Sequence, residues 1–337
     1  MSIPFRTIGK DGPQVPAVGL GLMSIGGIYG SAGTLEDKFA LLDHAYATGQ
    51  LFWDTADIYA DSEDIVGEWF QRSGKRNDIF LASKFGLIMD PVTRRATIRS
   101  DPEYAKTACD KSLQRLKVDV IDLYYCHRVD ERTPIEKTVQ AMVELKNEGK
   151  IRNIGLSEVS AASLRRAYAV HPIAALQMEY SPFALDIEKN ELLQTCRELG
   201  VTVVAYSPIG RGLLTGQIQR YEDFDENDWR RYLPKYAPDH FPKILELVDG
   251  LKKVAQAHGS TPSQISIAWL LAQGSDIIPI PGTRSSDRME ENTKSALIQL
   301  TDEEVKHIRS LVERTEVQGD RYLAAMGVNV VADTPPL

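Results

Sequence analysis

The chain has 337 residues, 43% hydrophobic and 26% charged, the mix of a soluble globular protein and not of a disordered or fibrous one. Its 39 Lys and Arg against 47 Asp and Glu leave a net charge of −8, which repels a phosphate backbone and argues against nucleic acid as a partner. No apolar run approaches the roughly 18 residues of a membrane helix, the start MSIPFRTIGK holds no hydrophobic signal core, and Cys109, Cys126 and Cys196 have neither metal nor disulfide spacing, so a reducing, cytoplasmic location is expected.

Short apolar, β-branched runs predict strands at 17–23, 50–53, 79–83, 120–126, 153–156, 173–178, 201–205 and 277–280. Several are continuous instead of alternating, as in a parallel sheet covered on both faces. Helical patterns fill the gaps. The first covers 34–48, with Thr34 as N-cap and a stop before Gly49. Another, 134–146, places Pro134 in the first turn and closes at Gly149; a third, 192–199, closes at Gly200. Such βα units, roughly 30 residues each, build either an open doubly wound sheet or a closed barrel. Eight of them without a composition break favour a (β/α)8 TIM barrel, one domain over 1–337 with its active site at the C-terminal rim. The long stretch at about 207–242 reads as a lid or binding loop. The tail, 315–337, is expected over the same face. The glycines of GLGLMSIGG at 19–27 do not match GxGxxG and no helix follows directly, so this segment is the first strand and its loop, with Met23 facing the site.

Barrel chemistry sits where strands end. The second strand ends in Asp54, with Tyr59 just beyond; the third ends in Lys84 and the fourth in His127. Singly, these read as a helix cap, a loop aromatic, a solvated lysine and a satisfied core histidine. Together they suit proton donation to a carbonyl that receives a hydride: Lys84 lowers the phenol pKa from about 10, Asp54 holds Lys84, and His127 donates to the substrate oxygen. At PGTRSSDRMEEN, Ser285 or Ser286 caps a helix whose N-terminus, with Arg284 and Arg288, suits an anion. Arg128 either meets an acidic substrate or pairs with Asp130 or Glu131, the reading the sequence favours.

DTADIY, the strand-three lysine, LYYCHRVD, GLSEVS, LQMEYSP, AYSPIGRGLLTG and IPIPGTRSSDRMEEN follow one another over nearly the whole chain. In order and spacing the sequence resembles the aldo-keto reductases, closest to the fungal and bacterial members that include pyridoxal reductases. The resemblance implies NADPH as cofactor and a catalytic tetrad of Asp54, Tyr59, Lys84 and His127, without metal. It also implies that Ser157 and Gln177 hold the nicotinamide carboxamide and that Tyr206 stacks on the ring. Ser207, Pro208, Ile209, Gly210 and Gly212 would meet the pyrophosphate, Gly282, Thr283, Arg284 and Arg288 the 2′-phosphate side, and Glu291 and Asn292 the adenine. Two positions depart from many relatives: Glu158 stands where Asn is common, and Gln217 where a Lys is, with Arg211 as a compensating charge. A small carbonyl substrate, aromatic or planar, follows from Tyr29, Phe85, Ile88, Trp229 and Tyr322 as pocket residues. Relatives of this fold also serve as cofactor-sensing subunits of potassium channels, the alternative reading; the oligomeric state is left open.

Overall fold

The computed structural model describes residues 3–27, 33–90, 92–93, 95–226, 228–316, 319–323 and 328–337. The apolar runs form eight parallel strands: β1 (Leu20–Gly21), β2 (Phe52–Asp54), β3 (Phe80–Phe85), β4 (Ile121–Cys126), β5 (Ile151–Ser157), β6 (Ala175–Glu179), β7 (Thr202–Tyr206) and β8 (Ile277–Pro279). They neighbour one another in chain order, and the sheet closes where Gly21 bridges Gly282 and the Gly19 and Gly21 amides donate to the carbonyls of Pro279 and Pro281 at 2.9 and 3.1 Å. A Cβ on Gly21 would lie 2.8 Å from the Ile280 carbonyl oxygen, so this seam needs glycine. Only two residues of the expected 17–23 run are strand, because the chain turns at Met23–Gly26 once the seam is made.

Around the barrel lie α1 (Leu35–Ala47), α2 (Ser62–Ser73), α3 (Pro102–Leu116), α4 (Ile135–Asn147), α5 (Ala161–Val170), α6 (Leu192–Leu199), α7 (Phe241–Ala257), α8 (Pro262–Ala272), α9 (Ser286–Lys294) and α10 (Asp302–Arg314). Their starts follow the cap rules: Thr34 and Asp37 form a capping box, and Thr261 with Gln264 and Thr301 with Glu304 form two more. Pro134 precedes α4 as its N-cap instead of sitting in the first turn. Gly200 ends α6 at φ 70°.

Strand parity divides the core in two. Phe52, Ala82, Leu123, Tyr125, Ala175, Val204 and Ile278 form the inner cluster, plugged by Ile8 and Val15 of an N-terminal hairpin (Phe5–Thr7 with Gln14–Pro16). Trp53, Leu81, Tyr124, Leu156, Leu176 and Val203 face outward to the helices. At Gly155 a Cβ would lie 2.4 Å from the Tyr125 ring, so the inner face is filled across strands. After β3 the loop forms a hairpin, Leu87–Met89 with Ala96–Ile98. The stretch after β7 is a succession of short 3₁₀ turns that bury Phe224, Leu233 and Tyr236 instead of standing open. As expected, the tail folds over the rim: Val159 bridges Ala332, and the Ala332 amide donates to the Glu158 carbonyl at 3.0 Å.

Candidate active site

Counting by twos from the inner cluster brings the polar groups together. Phe52 faces inward, so Asp54 does; Ala82 puts Lys84 inward, and Tyr125 puts His127 at the mouth. The same parity carries Ser157 on β5, Gln177 and Glu179 on β6, and Tyr206 on β7 toward the axis. Lys84, fully buried, donates to Asp54 Oδ1 at 2.5 Å and to the Thr55 carbonyl at 2.6 Å. Gln177 Nε2 donates to Asp54 Oδ2 at 2.8 Å, so Asp54 is held from both sides. The Lys84 ammonium lies 4.9 Å from the centre of the Tyr59 ring, and the Tyr59 and His127 rings meet edge to face at 5.9 Å.

Electrostatics fix the protonation states. Burial raises the Tyr59 pKa more than Lys84 lowers it, so the phenol keeps its proton. Lys84 lowers it, as expected, but a desolvated phenolate costs more than one partly shared cation returns. Burial, with Arg128 and Lys84 adding to it, holds His127 well below its usual value, so the imidazole is neutral. Its Nδ1 is buried without a hydrogen-bond partner among the described residues.

The other expected positions fall on the same rim. Ser157 Oγ donates to the Gln177 carbonyl at 3.0 Å. Ser207, Gly210, Arg211 and Gly212 have φ of 52°, 57°, 54° and 98°, left-handed values that bend the chain sharply after β7, and the Gly210 and Gly212 amides close turns on the Ser207 and Ile209 carbonyls at 2.9 and 3.1 Å. Ser285, not Ser286, caps α9 by accepting from the Arg288 amide, and Arg288 also donates to Gln217 Oε1 at 3.4 Å. Gln217 and the α9 N-terminus are therefore adjacent. Asn292 is buried, and Glu291 accepts from Thr261 Oγ1 at 2.5 Å.

The family model described as the Aldo/keto reductase family matches residues 17–313. The chain is 53% identical to the aldo-keto reductase str7 of Strobilurus tenacellus and 47% identical to the aldo-keto reductase yakc [NADP(+)] of Schizosaccharomyces pombe, each covering 100% of this chain and 99% of the relative. The chain belongs to the aldo-keto reductase family. Among solved structures, the glycerol dehydrogenase AKR11B4 from Gluconobacter oxydans is similar with a TM-score of 0.83 and 30% identity, over 94% of this chain and 97% of that one. The thermostable aldo-keto reductase Tm1743, solved in complex with the inhibitor epalrestat, is similar at 0.73 and 30%, over 92% and 100%.

Several expectations for this aldo-keto reductase need correction. Glu158, one of the two departures, is fully buried, takes a bidentate pair of bonds from Arg321 at 2.8 and 2.7 Å, and accepts from the Tyr206 hydroxyl at 2.8 Å. Arg211 is not a spare charge for Gln217. It bonds Glu179 at 3.1 Å and the Tyr322 hydroxyl at 2.9 Å, between the Trp229 and Tyr322 rings. Phe85 has the parity of Leu81, points outward and stacks on Tyr124, so it lines no pocket. Arg128 does not pair with Asp130 or Glu131; Asp130 instead accepts from the amides of Ser100, Arg132 and Thr133. Tyr29 lies outside the described residues.

Arg321, Glu179 and Asn329 were not visible as site residues, and neither was a buried acid behind the tetrad. Asp57 lies between Asp54 and Tyr59; burial, then the charge of Glu63, pushes its carboxyl up to about 8. Its Oδ1 is buried without a hydrogen-bond partner among the described residues. Protonated when folded and ionised when unfolded, Asp57 makes stability fall as pH rises from about 4 to about 8. Asp57→Asn should flatten that decline in thermal melts taken across this range. A variant whose melting point drops with pH as steeply as the wild type's would assign the effect elsewhere.

Proposed function

We propose that this aldo-keto reductase reduces an aldehyde or ketone to the alcohol with NADPH, Tyr59 donating the proton. The convergence of a protonated Tyr59, a buried Lys84–Asp54 pair and a neutral His127 on one rim carries the reading. Ser157, Gln177 and Tyr206 would hold the nicotinamide end, the left-handed run 207–212 the pyrophosphate, and Gln217, Gly282, Thr283, Arg284, Arg288, Glu291 and Asn292 the adenosine end. The residues fit such a group: the arginine-flanked helix start at α9, next to Gln217, offers anion donors on the same rim. When bound, NADPH supplies the hydride to the carbonyl carbon. Tyr59 gives its proton to the carbonyl oxygen, and the neutral His127 donates a hydrogen bond to it while negative charge develops. Lys84, fixed by Asp54, stabilises the phenolate that Tyr59 leaves behind, and Gln177 keeps Asp54 in place. The Trp229 and Tyr322 rings beside Arg211 support an aromatic or planar substrate.

Consumption of NADPH with benzaldehyde as probe tests the reading. Turnover is expected; tight NADPH binding with no turnover of any aldehyde would overturn it. For the cofactor, Arg284→Ala together with Arg288→Ala should weaken NADPH binding about 10- to 100-fold, the loss of charge-assisted bonds to a phosphate, and leave NADH binding nearly as it was. Equal weakening of both nucleotides in a fluorescence titration would remove the 2′-phosphate assignment.

A further inference from the structure

Arg128 follows the catalytic-rim histidine by one residue and is 4% exposed. Its Nη1 donates to the His127 carbonyl at 2.6 Å and to Ser157 Oγ at 3.2 Å, and its Nε donates to the Asn329 carbonyl at 3.1 Å. These bonds pin the guanidinium between the ends of β4 and β5, under the tail, but every partner is neutral. Its remaining nitrogen, Nη2, makes no hydrogen bond among the described residues. The neighbouring buried cations are matched differently: Lys84 has Asp54, Arg321 has Glu158, and Arg211 has Glu179. Arg128 alone of these four has no carboxylate within ion-pair distance among the described residues. Glu158, the nearest acid in electrostatic terms, is already saturated by Arg321 and the Tyr206 hydroxyl. Glu158 still favours the Arg128 cation at a distance, but no carboxylate bonds it directly, and a buried guanidinium gains further from an anion in bonding contact.

We infer that Arg128 is the receptor for a carboxylate on the substrate, so that the preferred substrates are 2-oxo acids. The inference rests on the reductase reading. The guanidinium is tied to the His127 carbonyl and Ser157 Oγ and acts electrostatically on both Tyr59 and His127, so it stands beside the groups that would contact the carbonyl oxygen. A carboxylate on the carbon next to the reacting carbonyl meets that demand, and two parallel N–H···O bonds are the arrangement a guanidinium favours. Charge complementarity then adds specificity. An uncharged carbonyl compound leaves the guanidinium desolvated and unpaired, whereas an oxo acid neutralises it. The same positive charge beside Tyr59 favours the phenolate formed after proton transfer.

Phenylglyoxylate and its methyl ester form the test pair, since they share the ketone and ring and differ in charge. The ratio of kcat/KM for the acid to that for the ester should fall about 10- to 100-fold in Arg128→Gln, and Arg128→Lys should recover part of it. A ratio unchanged within about twofold, or an Arg128→Gln defect confined to NADPH affinity, would overturn the assignment. Should both variants misfold, the wild-type protein loaded with NADP+ decides by equilibrium titration. Binding of phenylglyoxylate about tenfold or more tighter than its ester supports the receptor, and equal or weaker binding overturns it. Tight acid binding without turnover of either compound would leave Arg128 as an anion receptor while removing the reductase reading.

Discussion

Tyr59→Phe is expected to lower carbonyl reduction by about 10²- to 10⁴-fold, the contribution of a positioned general acid, while NADPH binding stays within a factor of about two. The expectation follows from what the ring touches. Its neighbours are the Lys84 ammonium and the His127 ring, and removing one oxygen leaves both in place and the edge-to-face packing intact. Lys84 keeps its bonds to Asp54 and the Thr55 carbonyl, so the cation stays in place when the hydroxyl is lost. Single-turnover measurements separate the outcomes. A loss seen in the chemical step at saturating substrate assigns the proton to Tyr59, and turnover at the wild-type rate would take Tyr59 out of the mechanism.

The largest stability effect is expected at the tail. Arg321→Met leaves Glu158 fully buried with no cation in bonding contact, a loss of about 3–5 kcal/mol for a broken buried pair, read from urea unfolding. Burial by itself would raise the Glu158 carboxyl, but Arg321 and then Arg128 overcome it and hold the group below its ordinary value. The sign follows: a depressed carboxylate contributes its full stability above the unfolded value of about 4.3 and loses it as pH falls through the folded one. Arg321→Met should therefore lose most at neutral pH and least in acid. Adding Glu158→Gln should return much of the stability, because a neutral amide no longer demands the cation. A double variant as unstable as Arg321→Met would show that packing of the tail, not the ion pair, carries the effect.

The sequence made the eight strands legible because each is a short apolar run fenced by turn residues, and the helices legible where caps stand in place. The hairpin after β3 was missed, since Leu87–Met89 and Ala96–Ile98 are too short to display alternation. Asp54, Lys84 and His127 stood out because each ends an apolar run with a polar group, a local break in pattern. Phe85 was misassigned for a reason equally local: parity from Ala82 sends residue 84 inward and residue 85 outward.

By itself, then, the sequence determined the barrel, the rim on which these polar groups gather and the residues that end its strands, because hydrophobic period and strand parity are properties of neighbours along the chain. Only the tertiary structure decided which charges are matched. Arg321 meets Glu158 across 163 residues and Arg211 meets Glu179 across 32, while Asn329 supplies a neutral oxygen to Arg128 across 201. Ion pairing depends on where the tail lies in space, and no periodicity encodes it. Proton affinities were settled the same way: burial, which exists only in the folded chain, raises Tyr59 against the pull of Lys84 and, with the charge of Glu63 adding to it, raises Asp57.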